Sequence, residues 1–252
     1  MKAKSLLLTA AVVLVSTLVA HRAVAETVEL ATGDWAPYTS PTLDGKGAFT
    51  EIVSAAFEKM GDKPNYSFVP WKRAEDQLEK GEVFAIFPYF ITDERKAKYN
   101  FSSRVMYSTG RFFYLNTKIS EKIEFENFSD LAKYKIGGTR GYWYENPFKE
   151  AGLSVDYATT DEQSLQKLQA GRVDLVPSEE LVGWEIIKRK FPNEVGSFSV
   201  VEKPTNQGDL HLMVSRKYPN SDAILTKFNA AMTEIAEQGT INKILEKYGV
   251  KE

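Results

Sequence analysis

The arginine at position 95 occupies an unfavourable place in a predicted helix. In the stretch ITDERKAK, residues 91–98, Thr92 is typical of a helix N-cap because its hydroxyl can accept from the free amides of the first turn. Asp93 and Glu94 suit the positive end of the helix dipole, whereas Arg95 does not. The spacing leaves two interpretations open. Arg95 either pairs with one of these two acids, or it binds a carboxylate together with the helix N-terminus.

Signatures of catalysis and of metal binding are weak in the chain. It contains no Cys, and its two His residues include only His211 beyond position 25. The alternation in DLHLMV, residues 209–214, predicts a structural role for His211 in a strand, so a transition-metal site is not expected. GGTRG, residues 137–141, fits no nucleotide-binding loop and predicts a strand-to-helix turn, whose amides can face an anion.

The elements that must position these residues alternate between strands and helices. TVELA, residues 27–31, predicts a first strand, and FTEIVSAAFEKMG, residues 49–61, predicts an amphipathic helix that Gly61 ends. A strand in NYSFVP and a helix in KRAEDQLEKG then lead to the strand VFAIF, residues 83–87. This alternation predicts an α/β fold with parallel crossovers.

The chain also repeats one unit. LEKGEVFAIFP, residues 78–88, and LQAGRVDLVPS, residues 168–178, both predict a helix end, a capping Gly and a short apolar strand. One interpretation is that any α/β protein contains such units. The other is that two similar lobes each present polar residues at the carboxyl end of an equivalent strand, where open α/β sheets bind ligands.

Two β-rich segments predict where such lobes would be connected. GRFFYLNTK, residues 110–118, and SFSVVEKPT, residues 197–205, are both interpreted as strands that cross between the lobes. Without a Gly/Ser linker, the hinge would consist of these two ordered strands. The predicted division is a first lobe of residues 26–116 plus 202–252, and an inserted second lobe of residues 117–201.

Residues 1–25 have the pattern of a cleaved signal peptide. Lys2 and Lys4 precede an apolar stretch from 5 to 20, and the sequence AVA, residues 23–25, offers small residues for cleavage. The alternative is a membrane anchor, but the apolar stretch is shorter than the roughly 20 residues that span a bilayer. We therefore expect a soluble protein exported to the periplasm.

The charge that remains after cleavage argues against two classes of partner. Removal of the leader takes the basic residues from 32 to 29 against 34 acidic ones, a formal net charge of −5. This charge disfavours nucleic acid and anionic membrane surfaces as partners. Because there is no Cys, no disulfide framework is available, and stability must come from the core.

Five segments, in this order, resemble one protein family. They are WAPYTS with DGKGAFTEIVSAAFEKMG, ITDERKAKYNFSS, LAKYKIGGTRG, LQAGRVDLV and FNAAMTEIAEQGTINKILEKYG. From Trp35 onward the chain resembles family 3 of the bacterial extracellular solute-binding proteins. The resemblance implies a two-lobed periplasmic binding protein fold of type II, which closes at a hinge of two strands over a small polar molecule.

The resemblance also implies roles for individual residues. Arg95 matches the family's arginine that binds the ligand's carboxylate, and Glu179 matches an acid that binds the ammonium group. Trp35 and Trp71 match side chains that stack on the ligand. Three aromatic residues occupy the second-lobe turn that closes over the carboxylate: Tyr142, Trp143 and Tyr144.

Several positions depart from the family's pattern. Pro88, Tyr89 and Phe90 stand where amino-acid binders often have small polar residues, and Arg73 adds a charge near Trp71. These departures imply a more aromatic and more basic pocket than a standard α-amino-acid site. Each Trp could instead pack in the core and not bind ligand. Glu179 could instead be a solvated acid at the start of a helix.

The predicted function is that of a monomeric periplasmic receptor without cofactor or metal. It would capture a small carboxylated solute, an amino acid or a relative, for the membrane permease of an ABC transporter. One alternative is a dehydratase-like enzyme on the same fold, with Glu179 as general acid. Another is a free-standing ligand sensor.

Overall fold

The computed structural model describes residues 26–250, so the predicted signal peptide, residues 1–25, lies outside the described residues. The strands are β1 Thr27–Thr32, β2 Lys63–Phe68, β3 Ala85–Tyr89, β4 Asn100–Phe101, β5 Met106–Leu115, β6 Ile136–Thr139, β7 Val155–Ala158, β8 Val176–Glu179, β9 Phe198–Val200 and β10 Asn206–Val214. The helices are α1 Ala48–Met60, α2 Trp71–Lys80, α3 Asp93–Lys98, α4 Glu145–Glu150, α5 Asp161–Gln169, α6 Glu180–Lys190, α7 Ser221–Glu237 and α8 Thr240–Lys247. None of these helices is long and apolar enough to cross a membrane.

Parallel and antiparallel strand pairs combine in one curled sheet. β1 lies between β2 and β3 and is parallel to both, as the strand–helix alternation predicted. β10 runs antiparallel to β3 and to β5, and β5 runs antiparallel to β8 and β9. β6 and β7 form a separate parallel pair. The predicted α/β class is therefore confirmed.

Two long strands, β5 and β10, connect the two ends of this sheet. They pair antiparallel, from Met106 with Leu210 to Gly110 with Asn206. Beyond this ladder, β10 continues along β3, whereas β5 continues along β8 and β9. The second connecting strand is thus β10 and not residues 197–205, of which only the segment of β9 is a strand. Pro204, which has no amide to donate, lies between β9 and β10.

The repeated unit has the predicted conformation in both copies. Gly81 follows α2 with φ of 76° and Gly171 follows the end of α5 with φ of 66°, and each precedes a strand. Only a residue without Cβ adopts this left-handed conformation at low cost, which explains Gly at both positions.

Buried apolar side chains form a large core and a smaller aromatic cluster. The large core includes Phe49, Phe57 and Phe87 around β1 and β3. The smaller cluster, around Phe112, packs the elements between β5 and β8. His211 is buried in β10, with Nδ1 2.9 Å from the carbonyl oxygen of Ser102, which fits its predicted structural role.

Gly183 marks a close contact between α6 and β5, and its replacement tests the packing. A Cβ at this position would lie 2.3 Å from Cζ of Phe113, which is fully buried. We expect Gly183→Ala to lower the free energy of unfolding by about 2 kcal/mol, because overpacking outweighs a gain of about 1 kcal/mol in helix propensity. Urea denaturation measures the change. In the control Gly196→Ala, an added Cβ meets no heavy atom within 4 Å, so equal stability of both variants would contradict this packing.

Candidate functional site

A small, partly open cavity of about 70 Å³ lies where β5 and β10 meet the end of β8 and the turn after β6. Residues from the predicted first lobe line one part of it: Trp35, Phe90, Ser108, Gly110, Thr205 and Asn206. Residues from the predicted second lobe line the other part: Tyr142, Trp143, Tyr144, Pro177, Ser178 and Glu179. Side chains that are far apart in sequence therefore converge on one small space.

The two copies of the repeated unit both end at this cavity. β3 ends at Tyr89 and is followed by Phe90, whose side chain lines the cavity. β8 ends at Ser178 and Glu179, which line it from the other side. The carboxyl ends of equivalent strands therefore deliver side chains to the same place, as in other open α/β sheets that bind ligands.

Aromatic side chains provide much of the lining and connect its two parts. Trp35 stacks on Tyr38 with ring centroids 4.8 Å apart, and its indole N–H donates to the Tyr142 hydroxyl. That hydroxyl donates in turn to Oδ2 of Asp161 at 2.5 Å. Trp143 is 43% exposed at the edge of the cavity. The faces of such rings attract cations.

Asp161 is a half-buried acid that supports this aromatic lining. Besides Tyr142, the Thr139 hydroxyl donates to its Oδ1 at 2.7 Å. Burial raises the pKa of Asp161, and the two hydrogen bonds partly oppose that rise. Asp161 thereby fixes the position of the Tyr142 ring, and it does not itself line the cavity.

Glu179 is the acidic residue of the cavity lining, and its carboxyl is held by hydrogen bonds. Its Oε2 accepts from the amide of Val182 at 2.9 Å, so Glu179 caps helix α6, and its Oε1 accepts from the Tyr38 hydroxyl at 2.8 Å. Burial raises the pKa of Glu179 from 4.5 to about 7, against the lowering effect of both hydrogen bonds. No Lys or Arg of residues 26–250 lines the cavity, so the expectation of a more basic pocket is wrong for this lining. Glu179 is the one acidic residue among the lining residues.

Arg95 lies outside the cavity. The Thr92 hydroxyl accepts from the Arg95 amide at 3.3 Å, which confirms the predicted N-cap. The guanidinium carbon lies 4.7 Å from the centroid of the Tyr89 ring, and Nη1 donates to the carbonyl oxygen of Phe90 at 3.1 Å. Arg95 lines an outer depression together with side chains of α2 and α3 such as Glu75. The ion pair in this helix instead joins Lys98 and Glu94.

Tyr89, Trp71 and Arg73 also lie outside the cavity. The Tyr89 ring is edge-to-face with Trp71 at 6.0 Å, and its hydroxyl donates to Oε1 of Glu75 at 3.2 Å. Trp71 covers Gly33, where a Cβ would lie 2.4 Å from the indole ring. Arg73 is exposed in the first turn of α2. The structure thus brings six of the ten predicted residues together at the cavity: Trp35, Phe90, Tyr142, Trp143, Tyr144 and Glu179.

Sequence reasoning missed two serines of the lining. Ser108 and Ser178 are 2% and 5% exposed, and within residues 26–250 their Oγ atoms have no hydrogen-bond partner. Ser178 is the last residue of the repeated segment LQAGRVDLVPS, but nothing in the sequence marks it as buried. Ser108 lies two residues before the predicted strand GRFFYLNTK. Within the same described range, no group of three His, Asp or Glu side chains is placed to hold a metal ion.

Comparison with known proteins places most of the chain in one group. The sequence profile of the bacterial extracellular solute-binding proteins, family 3, matches residues 30–251. A probable amino-acid ABC transporter-binding protein of Haemophilus influenzae is 25% identical over 225 residues, which cover 86% of this chain and 82% of that protein. The L-cystine-binding protein TcyA of Bacillus subtilis is 23% identical over 219 residues, covering 86% and 78% of the two chains.

A solved structure shows the same fold at low sequence identity. It is the crystal structure of a histidine kinase sensor domain with similarity to periplasmic binding proteins, which superimposes with a TM-score of 0.75 at 18% identity. The match covers 89% of this chain and 96% of the sensor domain. At this identity the likeness concerns the arrangement of helices and strands.

Proposed function

The chain belongs to the bacterial extracellular solute-binding proteins of family 3, and from this premise we propose that it captures an amino acid, or a related small solute with both an ammonium and a carboxylate group. In this proposal it acts in the periplasm after its leader is removed, and it delivers the solute to the membrane permease of an ABC transporter. The observation that carries the proposal is the cavity, which combines aromatic rings with the carboxyl of Glu179 and has no basic residue in its lining.

This lining suits the ammonium end of the solute. Aromatic faces attract a cation, and a carboxylate pairs with it at close range. Enclosure strengthens that pair because water no longer screens it, although both charges must first lose their hydration. A carboxylate in the same place would face Glu179 without a compensating cation.

Arg95 is proposed to bind the carboxylate end at the edge of the cavity. Its guanidinium donates to the carbonyl oxygen of Phe90, and the Phe90 ring lines the cavity. A guanidinium has five N–H donors in a fixed fork, so this bond leaves others for a carboxylate. The proposed lobes, residues 26–116 plus 202–252 and residues 117–201, would close over the solute about β5 and β10.

A ligand screen tests the function. Thermal unfolding of the purified protein is followed with the twenty protein L-amino acids, L-cystine, their decarboxylated amines, and dicarboxylates without an amine. We expect at least one amino acid to stabilise the protein, by about 2.7 kcal/mol at 100 times its dissociation constant. Stabilisation only by dicarboxylates, or by nothing in the set, would contradict the proposal.

Replacement of Arg95 tests its assigned role. We expect Arg95→Ala to weaken binding of the best amino acid by about 30-fold or more, because loss of one partner of a buried charge pair costs roughly 2–5 kcal/mol. Affinity for the corresponding decarboxylated amine should stay within about twofold of the wild type. Isothermal titration calorimetry measures both ligands, and Lys96→Ala, an exposed cation on the same helix, is the control. Equal losses for both ligands would assign Arg95 a structural role.

A second candidate function rests on the pKa of Glu179. At about 7, this carboxyl is close to the pH at which a general acid works best. The cavity would then hold a cyclic carboxylate that undergoes dehydration. Incubation with prephenate or arogenate, followed by product analysis, tests this candidate, and turnover that Glu179→Gln abolishes would support it.

A further inference from the structure

A wide groove adjoins the cavity on the other side of Trp35. It lies between the loop of residues 34–43 and the helices α5 and α6, and its volume is about 620 Å³. Trp35 lines both the groove and the cavity, whose volume is about 70 Å³. One side chain therefore stands between a space for a very small molecule and a much larger space.

Hydrogen bonds hold Trp35 in this position. Its indole N–H donates to the Tyr142 hydroxyl, which donates in turn to Oδ2 of Asp161 at 2.5 Å. Tyr142 lines the cavity and Asp161 lines the groove, so this chain of bonds crosses from one space to the other. The Tyr38 ring stacks on Trp35, and the Thr139 hydroxyl donates to Asp161. Both ends of the chain are thereby fixed, and moving Trp35 aside breaks a hydrogen bond.

The volume of the cavity limits the size of a solute that fits inside it. A water molecule needs about 10–15 Å³, so a cavity of about 70 Å³ holds roughly five to seven water-sized groups. Glycine and alanine are of about this size, whereas pockets for drug-sized ligands measure about 300–1,000 Å³. The wall at Tyr144 cannot easily give way, because this ring is 2% exposed and stacks on Phe148 with centroids 4.9 Å apart.

We propose that the contact between Trp35 and Tyr142 restricts the captured solute to the smallest amino acids, glycine and alanine, by separating the cavity from the groove. This inference rests on the proposed function and narrows its class of solute. A longer side chain has no room in the cavity, and it reaches the groove only if the Trp35 ring moves away from Tyr142. That movement removes the stacking on Tyr38 and the indole hydrogen bond, so longer amino acids bind more weakly.

A size series on the wild type is the first test. Calorimetry measures binding of glycine, L-alanine, L-2-aminobutyrate, L-norvaline and L-norleucine, which share one head group and differ only in the length of an unbranched side chain. We expect affinity to fall by about 10-fold or more from alanine to norvaline, because one methylene in a closely walled pocket changes affinity by about 10- to 200-fold. Affinity that stays level or rises along the series would overturn the inference, and this test needs no variant to fold.

Variants of the two residues in contact are the second test. Trp35→Ala joins the cavity to the groove, and Tyr142→Phe keeps the ring but removes the hydroxyl between Trp35 and Asp161. We expect Trp35→Ala to raise the affinity for norleucine relative to that for alanine by about 10-fold or more, and Tyr142→Phe to raise it less. This ratio is compared because loss of the Trp35 ring weakens binding of every solute. The control is Tyr134→Phe, a half-buried tyrosine that lines neither space, and it should keep the wild-type ratio.

The outcomes distinguish this inference from the proposed function. If no amino acid of the ligand screen or the size series binds to the wild type, the proposed function fails, and the inference fails with it. If a longer amino acid binds as tightly as glycine and alanine, the function stands and the inference is overturned. A wild-type preference for small amino acids that Trp35→Ala retains would overturn the assignment to Trp35 and Tyr142.

Discussion

Glu179→Gln is expected to lower the affinity for the captured amino acid by about 100-fold at pH 8, because the amide carries no charge to balance the ammonium. Loss of one partner of a buried charge pair costs roughly 2–5 kcal/mol, and a factor of about 100 corresponds to about 2.7 kcal/mol, which lies within that range. The amide oxygen can still accept from the Tyr38 hydroxyl or the Val182 amide, which both bond to the carboxyl. The fold should therefore persist. Calorimetry on both proteins measures the effect, with the exposed Glu237→Gln as control.

The pH dependence of binding tests whether the ionised carboxyl of Glu179 is the group that pairs with the ammonium. Its pKa in the free protein is about 7, raised by burial from 4.5. Binding of an ammonium needs the ionised carboxyl, so affinity of the wild type should rise about tenfold from pH 6 to pH 8 as the proton is released. Glu179→Gln should remove this dependence. An unchanged pH profile in the variant would show that another group is responsible.

The same pKa gives the opposite trend for stability of the free protein. Because the folded-state pKa lies above the ordinary value of 4.5, the folded state holds the Glu179 proton more tightly than the unfolded state does. This contribution is fully present below about pH 4.5 and is lost as the pH rises through about 7. A bound ammonium reverses the trend, since it pairs with the ionised form. A rise in pH through about 7 therefore lowers the stability of the free protein and raises the affinity for an ammonium, and both effects arise from the ionisation of Glu179.

Local rules predicted the elements well where the decisive contacts are close in sequence. The Thr92 cap depends on an amide three residues away, and Gly81 and Gly171 depend on the backbone angles of single positions. Such features can be recognised from spacing because their partners lie within one helical turn. The Thr92 cap determines where α3 begins. Gly81 and Gly171 determine where α2 and α5 end, and β3 and β8 follow these ends in the chain.

The direction of the Arg95 side chain depends on longer-range packing. Its place in the helix was predicted, but its guanidinium lies over the Tyr89 ring, which Trp71 and Glu75 hold in position from α2. No spacing rule within α3 contains that information. Arg95 was the predicted centre of the site, whereas the cavity in the structure forms around Glu179 and the aromatic turn after β6. The carboxylate-binding role of Arg95 stays a prediction.

Serines of the cavity were missed for a related reason. Ser108 becomes buried only because β5 pairs with β10 and with β8, whose residues lie about 70 to 100 positions further along the chain. The β-rich composition of residues 197–205 predicts a strand that crosses between the lobes, yet only Phe198–Val200 pairs with β5. Strand propensity depends on neighbouring strands, so composition alone did not locate the second connecting strand.

Phe112→Ala is expected to have the largest effect on stability, a loss of about 3–5 kcal/mol in the free energy of unfolding. Phe112 is fully buried, stacks on Phe148 with centroids 5.9 Å apart, and meets Phe125 and Phe128 edge-on. Its removal leaves a hole that these rings cannot fill together, so both the transfer energy and the packing are lost. Urea denaturation measures the loss.

Because Phe112 lies close to the cavity, the Phe112→Ala variant also tests how the aromatic cluster around Phe112 supports the residues that line the cavity. It lies on β5 two residues beyond Gly110, which lines the cavity, and it anchors the aromatic cluster next to Tyr144. The control Ile91→Ala removes a side chain that is 44% exposed and should change stability by less than about 0.5 kcal/mol. If Phe112→Ala were no more destabilising than this control, the aromatic cluster would not be what holds the turn that carries Tyr142. The hydrogen bonds of Asp161 to Thr139 and Tyr142 would then be the contacts that hold this turn in place.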